Sequence, residues 1–352
     1  MCYAKISRDT YEVVFEEPTL YVDNQARKRS GHMTHAMAEF APNCFIDFNS
    51  NCSALRWDGH MPYGWVEYRI SKDGGNTFSE IKELEYAKQS FFDGIHTISV
   101  EKAVGCDDGS IVAFCLRNSA LDPSFCYPWD TPTVIRSIDQ GKTWSEPQEC
   151  IPYKGRIYDA LYHKGVIYVA IFCNENFLGS SEEHKYRIFK SFDNGLTFEE
   201  ASVIPFDTIG HGYCSIVFGP NDRLHAYSYI GTDNTVIDHA ISDDFGVSWT
   251  ILDRCSVPKG SRNPQTALLD GVFLMHGRTS DNTSFVFYTS EDAANWDEGT
   301  VIASTVSVGQ YYSNNINLKD EKGNYLLVQY SESYDSAKVN VKHMKIRVNK
   351  KA

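Results

Sequence analysis

The stretches that decide the fold are SKDGGNTF (71–78), SIDQGKTW (137–144), SFDNGLTF (191–198) and SDDFGVSW (242–249). Each reads Ser, any residue, Asp, any residue, Gly, any residue, Thr or Ser, then an aromatic. A fifth copy, SEDAANW (290–296), is one residue shorter and lacks the glycine. The copies start 66, 54, 51 and 48 residues apart. Glycine supplies a positive φ at little strain, and the Ser and Asp oxygens fold back onto turn N–H groups. The closing Phe or Trp brings a large apolar surface to bury between neighbouring sheets. Such a turn recurring near every 50 residues is the mark of a β-propeller with four-stranded blades. Its Asp residues therefore read as structural rather than catalytic.

Each repeated turn should join a blade's third and fourth strands, which places the others. First strands begin near Gly31, Gly94, Ile157, Gly212, Asn263 and Tyr312. Second strands are the apolar runs CFIDF (44–48), IVAFCL (111–116), VIYVAIF (166–172), LHAYSY (224–229), VFLMH (272–276) and YLLVQY (325–330). The expectation is an all-β, six-bladed propeller of antiparallel blades, a single domain over 1–352. The sixth blade lacks a fourth strand after VNVKHMKIRV, and the N-terminal run EVVFEEPTLYV (12–22) lacks a blade. Pairing the two closes the ring and leaves no open sheet edge there.

Composition narrows the function. A net charge of −13 argues against nucleic acid or an anionic membrane surface as partner. No apolar run is long enough to cross a membrane, and MCYAKISRDTYE lacks the basic-then-apolar pattern of a signal peptide. A cytoplasmic location is expected. The ten cysteines include no CxxC pair, and several sit in apolar strand runs; they read as reduced, small hydrophobes. His32 and His35 form an HxxH, but three residues apart on a strand they face opposite sides. Neither metal nor cofactor is expected.

In a propeller the innermost strands line a channel whose mouth holds the ligand. Antiparallel neighbours put first-strand starts and second-strand ends at one mouth. The starts carry His32, His35, Asp93, His96, Tyr158, Asp159, His211, Tyr213, Arg262, Asn263, Tyr311 and Tyr312. The ends carry Asn49, Asn51, Arg117, Asn118, Asn174, Glu175, Asp233, His276, Arg278, Ser331 and Glu332. This concentration of His, Tyr and Arg at one mouth marks a site.

Repeated Asp boxes on six blades resemble the sialidase superfamily over essentially the whole chain. The resemblance implies roles for matching positions. Tyr312-Ser313 opens the sixth blade's inner strand, where the family keeps its nucleophilic tyrosine. Arg278 ends the fifth blade's second strand, at the place of a conserved arginine. Asp58, in RWDGHMP, occupies the loop that carries the acid/base aspartate, and Glu332 approximates the acidic residue near the end of the last blade's second strand. The chain departs from the pattern in blade one, which reads SGHMTHAMAEF instead of opening on Arg-Ile-Pro. It departs again in blade four, where His211-Gly212-Tyr213 and Tyr229-Ile230-Gly231 stand in place of a glutamate and an arginine.

The resemblance and the residues together imply an exo-acting glycoside hydrolase of an acidic glycan, with Tyr312, Asp58 and Glu332 catalytic. Arg278, Arg117, His35, Asp93, His96, Asp159, Glu175, His211 and Tyr213 would hold the substrate. A tyrosine nucleophile needs a base, for which Glu332 or Glu175 would serve, and an acid, Asp58 or else Asp93. Two other classes compete: a uronate-directed lyase using His and Tyr as base against Arg117 and Arg278, and a non-catalytic glycan-binding propeller.

Overall fold

The computed structural model describes residues 2–31, 35–56, 62–122, 127–305 and 310–351. Six antiparallel sheets stand around an axis. Their innermost strands are Met37–Ala41, His96–Gly105, Arg156–His163, His211–Phe218, Arg262–Leu269 and Ser313–Asp320. Each touches the next, and the last touches the first, so the ring is closed. Most first strands begin within two residues of the expected places. Blade one differs: Arg29–Ser30 and Met37–Ala41 pair separately with Cys44–Ser53. Blade two has three strands, and an isolated bridge from Val134 to Gln148 marks its outer edge.

Closure runs through the N-terminus. Tyr11–Glu16 pairs with Lys338–Lys350, with Phe15 opposite Ile346, and Thr19–Val22 pairs with the same strand. Tyr11, Val13 and Phe15 are buried while the residues between them are not, the alternation of a strand with one face inward. The Phe15 ring meets Phe287 of blade five edge-on at 5.0 Å. Cys2–Ser7 adds a further strand outside it; its residues are mostly exposed, so no apolar pattern announced it.

The repeated turns share one set of bonds. Ser71 Oγ donates to Asp73 Oδ1 at 2.9 Å and accepts from the Gly75 N–H at 2.8 Å, while Asp73 Oδ1 accepts from the Thr77 N–H at 2.9 Å. The same bonds recur around Asp139, Asp193 and Asp244. In the copy without glycine, Ala293 takes φ +66° and still donates to Ser290 Oγ. The terminal aromatics wedge against the preceding blade: Trp144 on Phe48, Phe198 on Phe114, Trp296 on Tyr227. These aspartates hold turns on the outer side of the blades, away from the channel.

A helix between the first two blades was not expected either. The helix Glu85–Asp93 links blades one and two and ends at Gly94, φ +75°.

A tyrosine and arginine cluster at the channel mouth

Five innermost strands carry an extra residue near the same mouth. In blade two Phe114 faces Lys102 and Cys115 faces Val100, so Glu101 is the extra residue. In blade three it is Tyr158, and in blade four Tyr213. In blade five Asn263 and Pro264 together oppose Gly277. In blade six Ser331 bonds both Tyr311 and Tyr312, while Ser313 already faces Tyr330. A bulge breaks the strict alternation of a strand and re-aims one side chain. Here the re-aimed residues include Glu101, Tyr158, Tyr213 and Tyr312. The backbone at Tyr213 (φ +30°), Asn263 (+56°) and Tyr311 (+61°) lies where non-glycine residues are seldom found.

Three arginines meet these residues, from the starts of the third and fifth inner strands and the end of blade five's second strand. The Arg278 guanidinium lies over the Tyr312 ring, 3.9 Å from its centre, and its Nη2 donates to the Tyr213 hydroxyl at 3.4 Å. Arg156 is ion-paired to Glu101 at 2.6 Å and lies 5.0 Å from the Tyr158 ring and 5.8 Å from the Tyr213 ring. The Arg262 charge acts on Tyr213, and its guanidinium lies over Phe177 and Tyr229. Tyr213 and Tyr312 are near enough for each to act on the other's ionisation. Arg278, Tyr213 and Tyr158 are buried; Tyr312 keeps part of its surface exposed.

The two phenols are driven apart. Burial raises Tyr213, but Arg278, Arg156 and Arg262 outweigh it and hold its pKa below the usual tyrosine value. Burial also raises Tyr312; Arg278 opposes that and the neighbouring Tyr213 adds to it, leaving Tyr312 at about 12. With Glu101 cancelling one guanidinium, the cluster carries an excess of positive charge in a chain of net charge −13. The Nε groups of Arg262 and Arg278, Ser261 Oγ and Glu101 Oε1 are buried with no hydrogen-bond partner among the described residues. Buried polar groups of this kind are ordinarily satisfied.

Below the cluster the channel is plugged. Lys102 Nζ donates to Gln265 and Asn314 at 2.7 Å each and to Asp159 at 2.9 Å. Above the plug is a small cavity of about 30 Å³ lined by His35, Glu101, Arg156, Tyr158 and Tyr312. Below it, at the opposite mouth, is a larger one of about 450 Å³ lined by Glu39, Asp159, His163, Thr266, Asn315 and Asn317. Size favours the lower cavity. Chemistry favours the upper mouth, where the guanidiniums, the displaced tyrosines and the unsatisfied donors converge.

The residues singled out from sequence fall into two groups. Tyr312, Arg278 and Tyr213 come together, and His35 lines the same cavity, with Nδ1 3.0 Å from Gln329 Oε1. The others lie elsewhere or are committed to partners. Glu332 is ion-paired to Lys342, and its charge acts on Tyr311 and Tyr330. Glu175 is exposed and pairs with Lys154. Arg117 pairs with Glu149 and Asp130, and His96 lies 3.4 Å from the same Asp130. Asp93 is the exposed end of the helix rather than a strand start. Asp159 accepts from Ser215 Oγ and the Ile216 N–H as well as Lys102. His211 Nε2 lies 3.0 Å from Asp238 Oδ2; burial alone would lower its pKa, but Asp238 and the Ile209 carbonyl raise it. Asp58 and His32 lie outside the described residues.

Arg156 and Glu101 were missed. The signal for Arg156 was its place two residues before Tyr158, at the start of an inner strand. For Glu101 it was Glu-Lys interrupting the apolar run ISVEKAV (98–104), which marks residues turned to a channel.

No protein-family model and no curated protein matches this chain. Solved structures do. A protein of unknown function from Dyadobacter fermentans DSM 18053 is 16% identical, with a TM-score of 0.76 over 96% of this chain and 99% of that one. Hadza microbial sialidase Hz136 is 13% identical, with a TM-score of 0.66 over 96% and 69%. Trypanosoma rangeli sialidase is 12% identical, with a TM-score of 0.62 over 97% and 60%. At such identities the likeness speaks for the fold alone. The class it defines is the all-β, six-bladed propeller that sialidases share.

Proposed function

We propose that this protein is an exo-acting glycoside hydrolase of an anionic glycan, acting at the tyrosine and arginine mouth. The observation that supports it most is the pair of unsatisfied, buried Nε donors on Arg262 and Arg278 beside the partly exposed Tyr312. Guanidiniums bind a carboxylate through paired N–H donors. A sugar carboxylate held there brings its anomeric carbon against the Tyr312 hydroxyl. Tyrosine suits this substrate, since a phenol repels a neighbouring carboxylate less than Asp or Glu would. Tyr312 is the nucleophile and forms the glycosyl-enzyme; Asp58 is the acid that protonates the leaving oxygen. Arg278, fixed over the Tyr312 ring, stabilises the phenolate that departs when water completes hydrolysis. The setting is cytoplasmic, with no cofactor in the reaction.

The uronate lyase is the second reading, favoured by the three guanidiniums that lower the Tyr213 pKa from the usual tyrosine value beside a carboxylate clamp. One experiment separates the classes. Sialosides, uronides and rhamnosides are screened with wild type and Tyr312→Phe. A saturated reducing sugar, and a loss of about a thousandfold or more in the variant, are the expected results. An unsaturated, ultraviolet-absorbing product would move the assignment to the lyase. Binding at the mouth without turnover of any glycan would make the protein a binding module.

A further inference from the structure

The carboxylate of Glu101 is held on one side only. Arg156 reaches it through Nε at 2.8 Å and Nη2 at 2.6 Å, and both donors go to the same oxygen, Oε2. An arginine fork ordinarily spreads across both oxygens of a carboxylate. Here Oε1 is buried with no hydrogen-bond partner among the described residues, on a side chain only 8% exposed. The bulge in blade two takes Glu101 out of the strand's alternation, and its side chain lines the cavity of about 30 Å³ at the mouth. Tyr158, displaced by the bulge of blade three, lines the same cavity, and its hydroxyl is likewise buried without a partner. We propose that this corner is a subsite for one free hydroxyl of the sugar, which donates to Glu101 Oε1 and accepts from the Tyr158 hydroxyl. That the sugar is an acidic one rests on the function proposed above; that the corner selects a hydrogen-bond donor rests on Glu101.

Donor pattern, charge and size together select the hydroxyl. A carboxylate held by a guanidinium only accepts, so its partner must donate, which excludes a second carboxylate, a sulfate or a phosphate. A cationic donor would compete with Arg156 for the same carboxylate, and Arg278 already lies over the ring of Tyr312, another lining residue; like charges so close disfavour it. A hydroxyl donates and accepts, and so answers Glu101 and Tyr158 at once. One water-sized group needs about 10–15 Å³, so the cavity has room for a hydroxyl and its carbon and is too small for an acetamido group. The floor is fixed: Lys102 Nζ bonds Gln265 and Asn314, which also line the cavity, at 2.7 Å each. Tyr312 lines it as well, so the hydroxyl belongs to the ring being cleaved and not to the leaving group.

Such a corner discriminates more than it attracts. A sugar that brings the hydroxyl satisfies Oε1, whereas one that lacks it leaves a buried carboxylate oxygen unpaired. Sites built to bond a substrate hydroxyl reject the analogue without it by about 10⁴-fold or more in kcat/KM, against about 10–200-fold for a methylene in an apolar pocket. Glu101 is therefore a specificity-determining residue, and Arg156 the residue that positions it.

The test is binding. Titration calorimetry is run with D-glucuronate, D-galacturonate and N-acetylneuraminate, then with the deoxy and deoxyfluoro analogues of whichever binds, one hydroxyl replaced at a time. Wild type is compared with Glu101→Gln and Tyr158→Phe, each checked for fold by circular dichroism. In wild type one position should stand out: hydrogen there, or fluorine, which cannot donate, weakens binding about a hundredfold or more. In Glu101→Gln the amide oxygen turns to the Arg156 donors and the NH2 group replaces Oε1, so the penalty at that position falls to about tenfold or less while the other positions keep theirs. Tyr158→Phe should weaken the parent sugar about tenfold and still discriminate against hydrogen. Equal tolerance of every deoxy analogue by wild type overturns the subsite whether or not the variants fold, and so does a penalty that Glu101→Gln leaves unchanged; in both cases binding of an acidic sugar at the mouth survives. If none of the acids binds wild type, it is the proposed anionic-glycan site that falls, and the hydroxyl subsite with it.

Discussion

Blade four carries a buried histidine pair whose protonation should set the acid limit of the fold. His225 Nδ1 lies 3.0 Å from His239 Nε2, the rings are nearly parallel, and Tyr227 stacks on His239 with ring centres 4.8 Å apart. Burial is the main cause that lowers both to about 4; Arg223 adds to it at His225, and His225 adds to it at His239. In the unfolded chain both take protons as pH falls through about 6.5. Between about 6.5 and about 4 the unfolded state therefore binds more protons than the folded one, and stability falls as pH falls. The contribution is fully present above about 6.5 and gone below about 4. Moving one imidazole between those values is worth ~3 kcal/mol, and the shared bond keeps the two rings from adding independently. Against a total of ~5–15 kcal/mol, that loss is decisive. Denaturant midpoints at about pH 7.5 and about pH 4.5, converted with a common m-value, should drop steeply in wild type. In His239→Phe the drop should be smaller by ~3 kcal/mol, with the acid response of buried His276, itself lowered to about 3, common to both. A variant that loses as much stability as wild type over that interval would mean that the pair does not set the acid limit.

Phe15→Ala removes a fully buried ring at the closure of blade six, should cost ~3–5 kcal/mol, and is read as a lowered Tm; an unchanged Tm would mean the closing strand contributes nothing. Arg278→Lys replaces a planar fork by a point charge over the Tyr312 ring and should weaken an anionic sugar about tenfold or more while sparing the fold; equal affinity in titration calorimetry would take the guanidinium out of recognition. The nine described cysteines are all free, so thiol counting in denaturant without reductant should return all ten cysteines of the chain, and recovery of eight or fewer would contradict a reducing, cytoplasmic setting.

The blades were legible because their signals are local. Ser, Asp and Gly encode a turn whose bonds span only a few residues, and the closing aromatic needs only a neighbour. The N-terminal closure was legible from a count of unpaired strands, and Val13 and Phe15 sit as that pairing requires. The mouth was legible as a population of residue types but not as a cluster. Strict strand alternation cannot say that Glu101, Tyr158, Tyr213 and Tyr312 are each displaced by a bulge, because register is settled by the partner strand. Partner choice was equally hidden: nothing near Glu332 in sequence shows that Lys342, across the hairpin, claims its charge, or that Asp130 and Glu149 claim Arg117. The helix before blade two was missed because EYAKQSFFD lies between two strands in a stretch with no capping residue at its start.

The central claim is that the tyrosine at the mouth forms a bond to sugar. Its most direct measurement is trapping: the protein is incubated with a fluorinated, activated glycoside of whichever acidic sugar it turns over, and the adduct is located by peptide mass spectrometry. One added glycosyl unit is expected on Tyr312 in wild type and none on that peptide in Tyr312→Phe. An adduct on another residue, or turnover of the same sugar with no adduct at any stage, would contradict it.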